Sequence, residues 1–187
     1  MHYLLKGIAL IGILPALATS PVGAEPPEQG PIHVSFTPSQ LQGETYIFQI
    51  TQAGDGQIIA GGEKIAYYET NRWRFVSRLR KPAIRSLLIN GDTLWVASLN
   101  EIGRLELPLS DTSRYEALPL PEIENAGEIW QLAKSGNTLV ATTNEEVWFI
   151  EPGAKTVRHT RLPSKSRLML LSYDGKVVVA QSGLEAV

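Results

Sequence analysis

The sequence predicts an all-β fold made of β-propeller blades, each of four antiparallel strands, with about three and a half blades present. Three observations predict it. Short runs of β-branched, aromatic and aliphatic residues are bounded by Gly, Asn, Asp or Pro, and no window keeps a helical period for three turns. Small residues close an apolar run at Ala60, Ala97, Ala141 and Ala180, at intervals of 37, 44 and 39 residues, the length of one four-stranded unit. The other elements recur in the same order around each of these anchors.

Before each anchor comes an apolar strand, at residues 46–50, 84–89, 129–133 and 168–172. A turn follows: Gly54-Asp55-Gly56, Asn90-Gly91-Asp92, Ser135-Gly136-Asn137 and Asp174-Gly175-Lys176. Asn-Gly and Asp-Gly pairs accept the positive φ of a tight hairpin. Beyond the anchor strands lie third strands at 65–68, 102–105 and 147–150, then fourth strands at 73–76, 115–118 and 157–162. Three units close on a proline, at Pro82, Pro119 and Pro163, where an outer edge strand ends and no ladder donor is needed. The blades are expected at about 41–82, 83–124, 125–165 and 166–187, the last truncated after its second strand. A bare sheet edge and a bare apolar face at such a break lead to the expectation of a fragment of a longer protein. A β-sandwich of similar hairpins would not repeat the same order four times.

Residues 1–24 read as a signal peptide. Lys6 gives a positive start, residues 7–18 form a mostly apolar run, and Val22-Gly23-Ala24 sets cleavage after Ala24. The run is shorter than the roughly 20 apolar residues of a spanning helix, and Pro15 interrupts it. Residues 25–40, with Pro26, Pro27, Gly30, Pro31 and Pro38, have linker composition. Export to the periplasm or the extracellular face of the membrane is therefore expected. The chain contains no cysteine, which excludes disulfides, thiolate metal sites and cysteine nucleophiles. A net charge of -2 without blocks of one sign carries no nucleic-acid footprint. The local cluster Arg72, Arg74, Arg78, Arg80, Lys81 and Arg85 alternates with apolar residues, as the solvated face of a strand does.

One stretch carries a family likeness. An Ile-x-x-Leu pattern, a Gly or Asp turn, Leu94-Trp95-Val96-Ala97-Ser98 and then Asn100-Glu101-Ile102-Gly103-Arg104-Leu105 resembles the two-component regulator propeller repeat. Residues 47–73 resemble a second copy, with Gly54-Asp55-Gly56 at the turn and Ile65-Ala66-Tyr67-Tyr68 as third strand. The likeness spans roughly residues 41–187 and departs from the repeat where Ala replaces its usual Gly. The resemblance implies an extracytoplasmic ligand-sensing module of a bacterial signal-transduction receptor, anchored in the membrane downstream. The cytoplasmic half would be a histidine kinase, a response-regulator output or a cyclic-dinucleotide synthase. Its ligand would be a small molecule, a glycan or a protein, and a homodimer is compatible with it. Two alternatives stay open: a secreted propeller lyase or hydrolase with its catalytic residues in further blades, and a structural or adhesion propeller.

No catalytic constellation is expected in this chain, and neither a cofactor nor a metal. After the leader only His33 and His159 remain, in the linker and an outer strand, without carboxylates at ligand spacing. Adjacent Glu145 and Glu146 would point to opposite faces of a strand. Trp95, between Leu94 and Val96, reads as inter-blade core. A ligand would meet the end of the blades where second strands turn into third and each blade passes to the next. The candidate ligand-binding residues there are Lys81, Arg85, Asn100, Glu101, Asn144 and Glu145. Asn100-Glu101 and Asn144-Glu145 stand at matching offsets from Ala97 and Ala141. That match fits a ligand-facing ring or a repeated turn, and the turn is favoured because Asn tolerates positive φ.

Overall fold

A computed structural model describes residues 36–37, 39–42, 46–76, 83–151, 153, 157–162 and 168–181. The expected leader, most of the linker and Lys81 lie outside these. The described chain is all-β and forms incomplete propeller-like blades: three four-stranded antiparallel sheets and one two-stranded sheet, each in simple sequential order. The first sheet holds β1 (Ile47–Gln52), β2 (Ile58–Gly62), β3 (Ile65–Glu69) and β4 (Arg72–Phe75). The second holds β5 (Ser86–Asn90), β6 (Thr93–Ser98), β7 (Glu101–Glu106) and β8 (Glu116–Ala117). The third holds β9 (Gln131–Ser135), β10 (Thr138–Thr142), β11 (Glu146–Ile150) and β12 (Arg158–Arg161), and β13 (Leu168–Tyr173) pairs with β14 (Lys176–Gln181) in the fourth. The first strands lie in series, β1 against β5, β5 against β9 and β9 against β13.

Alternation along each strand builds the core in layers between sheets. Ile59, Ile65 and Tyr67 of the first sheet meet Leu87, Leu94, Val96 and Leu105 of the second. On the other face of the second sheet, Trp95, Ala97 and Ile102 meet Leu132, Leu139, Ala141 and Trp148 of the third. Val140 and Val147 then meet Leu168, with Leu170, Val177 and Val179 beside it. Each fully buried Leu or Ile contributes about 1.5–3 kcal/mol by leaving water, so interlayer packing dominates the stability of these sheets. The sequence-expected glycines at the tight turns, Gly91, Gly136 and Gly175, all sit at positive φ. Gly103 is required for a different reason. Tyr115 packs against it, so a methyl group there would overlap the ring.

A second device joins the sheets. Gln49 of β1 reaches across to Leu87 of β5, its Nε2 donating to the Leu87 carbonyl at 2.8 Å and its Oε1 accepting from the Leu87 N–H at 2.7 Å. Ser86 Oγ accepts from the Leu132 N–H at 3.0 Å, and Gln131 Oε1 accepts from the Leu170 N–H at 2.6 Å. At every junction a side chain of one first strand therefore caps the backbone of the next, at a residue pair that recurs as Gln49-Ile50, Ser86-Leu87, Gln131-Leu132 and Met169-Leu170.

This device fixes the repeat register. Gln49, Ser86, Gln131 and Met169 pair with Gly61, Ala97, Thr142 and Ala180. The equivalent positions are therefore Gly61 and Thr142 rather than Ala60 and Ala141, one residue on in each case. A slip of one residue exchanges the faces of a strand: Ala141 packs toward the second sheet, whereas Ala97 packs toward the third.

Candidate functional site

Arg85 immediately precedes β5, and its guanidinium is held on three sides. Its Nη2 donates to Glu128 Oε1 at 2.6 Å, the Phe48 ring centroid lies 4.0 Å from Cζ, and the Trp130 centroid lies 5.2 Å away. Phe48, Arg85 and Trp130 are the residues just before Gln49, Ser86 and Gln131, so one position from three successive sheets forms an aromatic–cation–aromatic stack. Such a stack contributes on the order of 0.5–2 kcal/mol. The Arg85 side chain is only 14% exposed. Sequence reasoning found Arg85 but missed Phe48, Glu128 and Trp130; the corrected register was the signal that lines them up.

Asn100 lies in the β6–β7 turn and Glu101 opens β7. Asn100 has φ 55°, its N–H donates to the Gly127 carbonyl at 2.8 Å, and its Oδ1 accepts from the Gly127 N–H. Leu99 bridges Glu128, so this turn and Arg85 grip the same segment that leads into β9. Glu101 is 8% exposed and pairs across the turn with Ser98. Asn144 and Glu145 belong to a separate turn between β10 and β11. Asn144 is exposed, while Glu145 stands 3.7 Å from Arg161 of β12. The structure thus brings Arg85 and Asn100 to residues 127–128, keeps Glu101 paired with Ser98, and leaves Asn144 and Glu145 in the next turn. Lys81 is outside the described residues.

The opposite end of the second sheet carries a cleft of about 640 Å3. It forms where the chain leaves β7 through a cis Leu107–Pro108 bond and loops back to β8. Its polar lining includes Thr93, Arg104, Ser110, Thr112, Arg114 and Glu116, and Leu105, Leu107 and Pro108 supply an apolar wall. Arg104 binds Glu116 Oε2 through Nε and Nη2, both at 2.8 Å, and this hydrogen bond raises the guanidinium pKa still further. Arg114 is exposed and has no ion pair among the described residues.

The loop that walls this cleft is tied to the first sheet. Gln57 Nε2 donates to the Leu109 carbonyl at 2.9 Å and its Oε1 accepts from the Leu109 N–H at 2.8 Å. Tyr67 donates to Asp111 Oδ1 at 2.8 Å, and Arg74 reaches Asp111 Oδ2 at 2.8 Å. Burial, and then this hydrogen bond, push the Tyr67 phenol up to about 12. The same bond holds the Asp111 carboxyl below its ordinary value, so it stays ionised. The sequence offered no pattern for this cleft, because an irregular loop held by a neighbouring sheet closes it against β6, β7 and β8.

Among the described residues no group of three His, Asp or Glu side chains could hold a metal ion, and no helix is long and apolar enough to cross a membrane. His159 stacks on Trp148, with centroids 4.4 Å apart, in the outer strand β12.

No family model and no curated protein matches the chain. Among solved structures, the chain is similar to the extracellular domain of a one-component system from B. thetaiotaomicron, with a TM-score of 0.53 and 20% identity over 68% of this chain. Similarity also reaches the computationally designed Ika8 protein, with a TM-score of 0.47 and 16% identity over 72% of this chain and 43% of that one. A third is PorZ, a surface component of the type-IX secretion system of Porphyromonas gingivalis, with a TM-score of 0.48 and 11% identity over 73% of this chain and 20% of that one. The chain spans only 18% of the length of the first, and at that identity the likeness is one of fold.

Proposed function

We propose that this chain is the ligand-binding part of an exported sensor, a non-catalytic module of the kind that the two-component regulator propeller repeat implies. The observation that carries the reading is the cleft beside the β7–β8 loop. Its volume of about 640 Å3 is that of a small-molecule site, and its loop wall is fastened to the first sheet by Gln57, Tyr67 and Arg74. A wall held in place before binding costs a ligand little ordering entropy. Arg114 offers a guanidinium fork to a carboxylate or a pair of hydroxyls, and the serine and threonine hydroxyls fit the same class of small polar ligand. A shift of this loop on binding would load the first sheet through the same three side chains, which is a route for a signal. The leader at residues 1–24 supports placement outside the cytoplasm.

Thermal melts against a panel of hydroxylated and carboxylated small molecules, run on the natural protein and on Arg114→Ala, test this. The expected result is a compound that raises Tm in the natural protein and loses that effect in the variant. Equal stabilisation of both proteins, or turnover of a bound compound, would overturn the reading.

A further inference from the structure

We infer that the cleft beside the β7–β8 loop takes a zwitterion, a free α-amino acid or a short peptide, with its carboxylate on Arg114 and its ammonium on Glu106. The inference rests on the reading of this cleft as a small-molecule site and narrows it to one chemical class. It begins with the ladder between β7 and β8.

That ladder pairs Gly103 with Ala117 and Arg104 with Glu116, while β7 runs on to Glu106. Each residue forward on β7 is one residue back on the returning chain, so a ladder continued to Glu106 would set Arg114 opposite it. Residues two apart on a strand share a face, as do cross-strand partners. Arg104 and Glu106 stand opposite Trp95 and Thr93 of β6, and Trp95 packs toward the third sheet. That face of the second sheet therefore carries two rungs of opposite charge, Arg104 with Glu116 and Glu106 with Arg114.

The first rung is closed and the second is open. Arg104 binds Glu116 Oε2 through Nε and Nη2, both at 2.8 Å. Glu106 and Arg114 line the same cleft, both are exposed, and among the described residues neither is in an ion pair. The loop before Arg114 holds the rung open. Ser113 closes a turn on Ser110, its N–H donating to the Ser110 carbonyl at 3.1 Å and its Oγ accepting from the Ser110 N–H at 2.9 Å. Gln57 and Tyr67 then fasten Leu109 and Asp111 to the first sheet, on the side of the second sheet away from Glu106.

A cation and an anion that line one cleft without meeting select a ligand that carries both signs. A simple carboxylate would reach Arg114 but leave Glu106 repelling it across the cleft. A neutral sugar would take water from both charges and neutralise neither, which is costly. An amino acid or peptide answers both: its carboxylate accepts two parallel bonds from a guanidinium, and its ammonium has the three donors that a carboxylate can accept. Leu107 and Pro108 offer an apolar wall to its side chain, and the cleft volume of about 640 Å3 lies in the range of small-molecule sites.

Calorimetry on the purified chain with a panel of free amino acids and dipeptides, each compared with its N-acetyl form and its C-terminal amide, tests this. At least one free compound is expected to bind, and either block should weaken it by about tenfold or more. Glu106→Gln, an isosteric change at an exposed position, should weaken the free compound by a similar factor while its N-acetyl form binds no less tightly than to the natural protein. Equal binding of free and N-acetylated forms, or zwitterion binding untouched by Glu106→Gln, would overturn the inference and leave the cleft a site for simple anions. Binding of the neutral disaccharide cellobiose, lost in Arg114→Ala, with no zwitterion bound would overturn it and leave the small-molecule reading standing. If no compound of any class binds, both fall.

Discussion

In the β6–β7 turn Asn100 adopts φ 55° and holds both the N–H and the carbonyl of Gly127, whereas Asn144, in the Asn-Glu pair of the β10–β11 turn, is exposed and outside the left-handed region. The two pairs look equivalent when counted from Ala97 and Ala141. Counted from the positions that pair with the capping residues, Ala97 and Thr142, the counterpart of Asn100 is Glu145, and that of Ser98 is Thr143. The second turn solves its backbone problem with that threonine: Thr143 Oγ1 accepts from the N–H groups of Glu145 and Glu146 at 3.3 and 3.1 Å. Repeated letters therefore marked two turns with different chemistry. One turn fastens its sheet to the segment entering the next, and the other is stabilised within itself.

Substitutions separate the two designs. Asn100→Ala should have the largest effect, because it leaves the Gly127 N–H without its acceptor, at about 1–3 kcal/mol, and replaces an Asn, which tolerates the left-handed region, by an Ala, which does not, at about 1 kcal/mol. Urea unfolding is expected to show a loss of about 2–4 kcal/mol, with Asn100→Gly recovering only the backbone part. Equal losses for the two variants would mean that the bond to Gly127 accounts for the whole effect. Thr143→Ala comes next, at about 1 kcal/mol for a local side-chain cap, measured by the same unfolding curves. Asn144→Ala should change stability by less than about 0.5 kcal/mol. A loss at Asn144 as large as that at Asn100 would restore the equivalence that the letters suggest.

Most of the fold was legible in the sequence because hairpin turns and apolar runs are local signals. The strand expected at 65–68 is found at Ile65–Glu69, and the one expected at 102–105 at Glu101–Glu106. Register was harder. Both Ala60 and Gly61, and both Ala141 and Thr142, are buried, since these strands are covered on both faces and show no apolar-polar alternation to choose between neighbours. The 3-10 helix Pro121–Asn125 was also not foreseen. Its Ile123 and the preceding Leu120 matter because they pack with side chains of the second and third sheets, a reason that exists only in the folded molecule.

Of the candidate site, the sequence named Arg85 by its charge, but the rings of Phe48 and Trp130 that enclose it come from other sheets and carry no local mark. The cleft at the opposite end was invisible for the same reason. Its loop is held by Gln57, 52 residues before Leu109, and by Tyr67, 44 residues before Asp111. Long-range partners of this kind leave no periodicity.

The capping side chains reach the main chain of the following sheet and ask nothing of its side chains. A main-chain N–H is the same group whatever residue carries it, so a sheet that offers one can follow any sheet that ends in Gln or Ser at the capping position. Neighbouring units joined this way are free to drift apart in sequence, to be duplicated or to be exchanged, without a compensating change next door. Such a molecule can keep its architecture long after its letters have ceased to resemble those of its relatives.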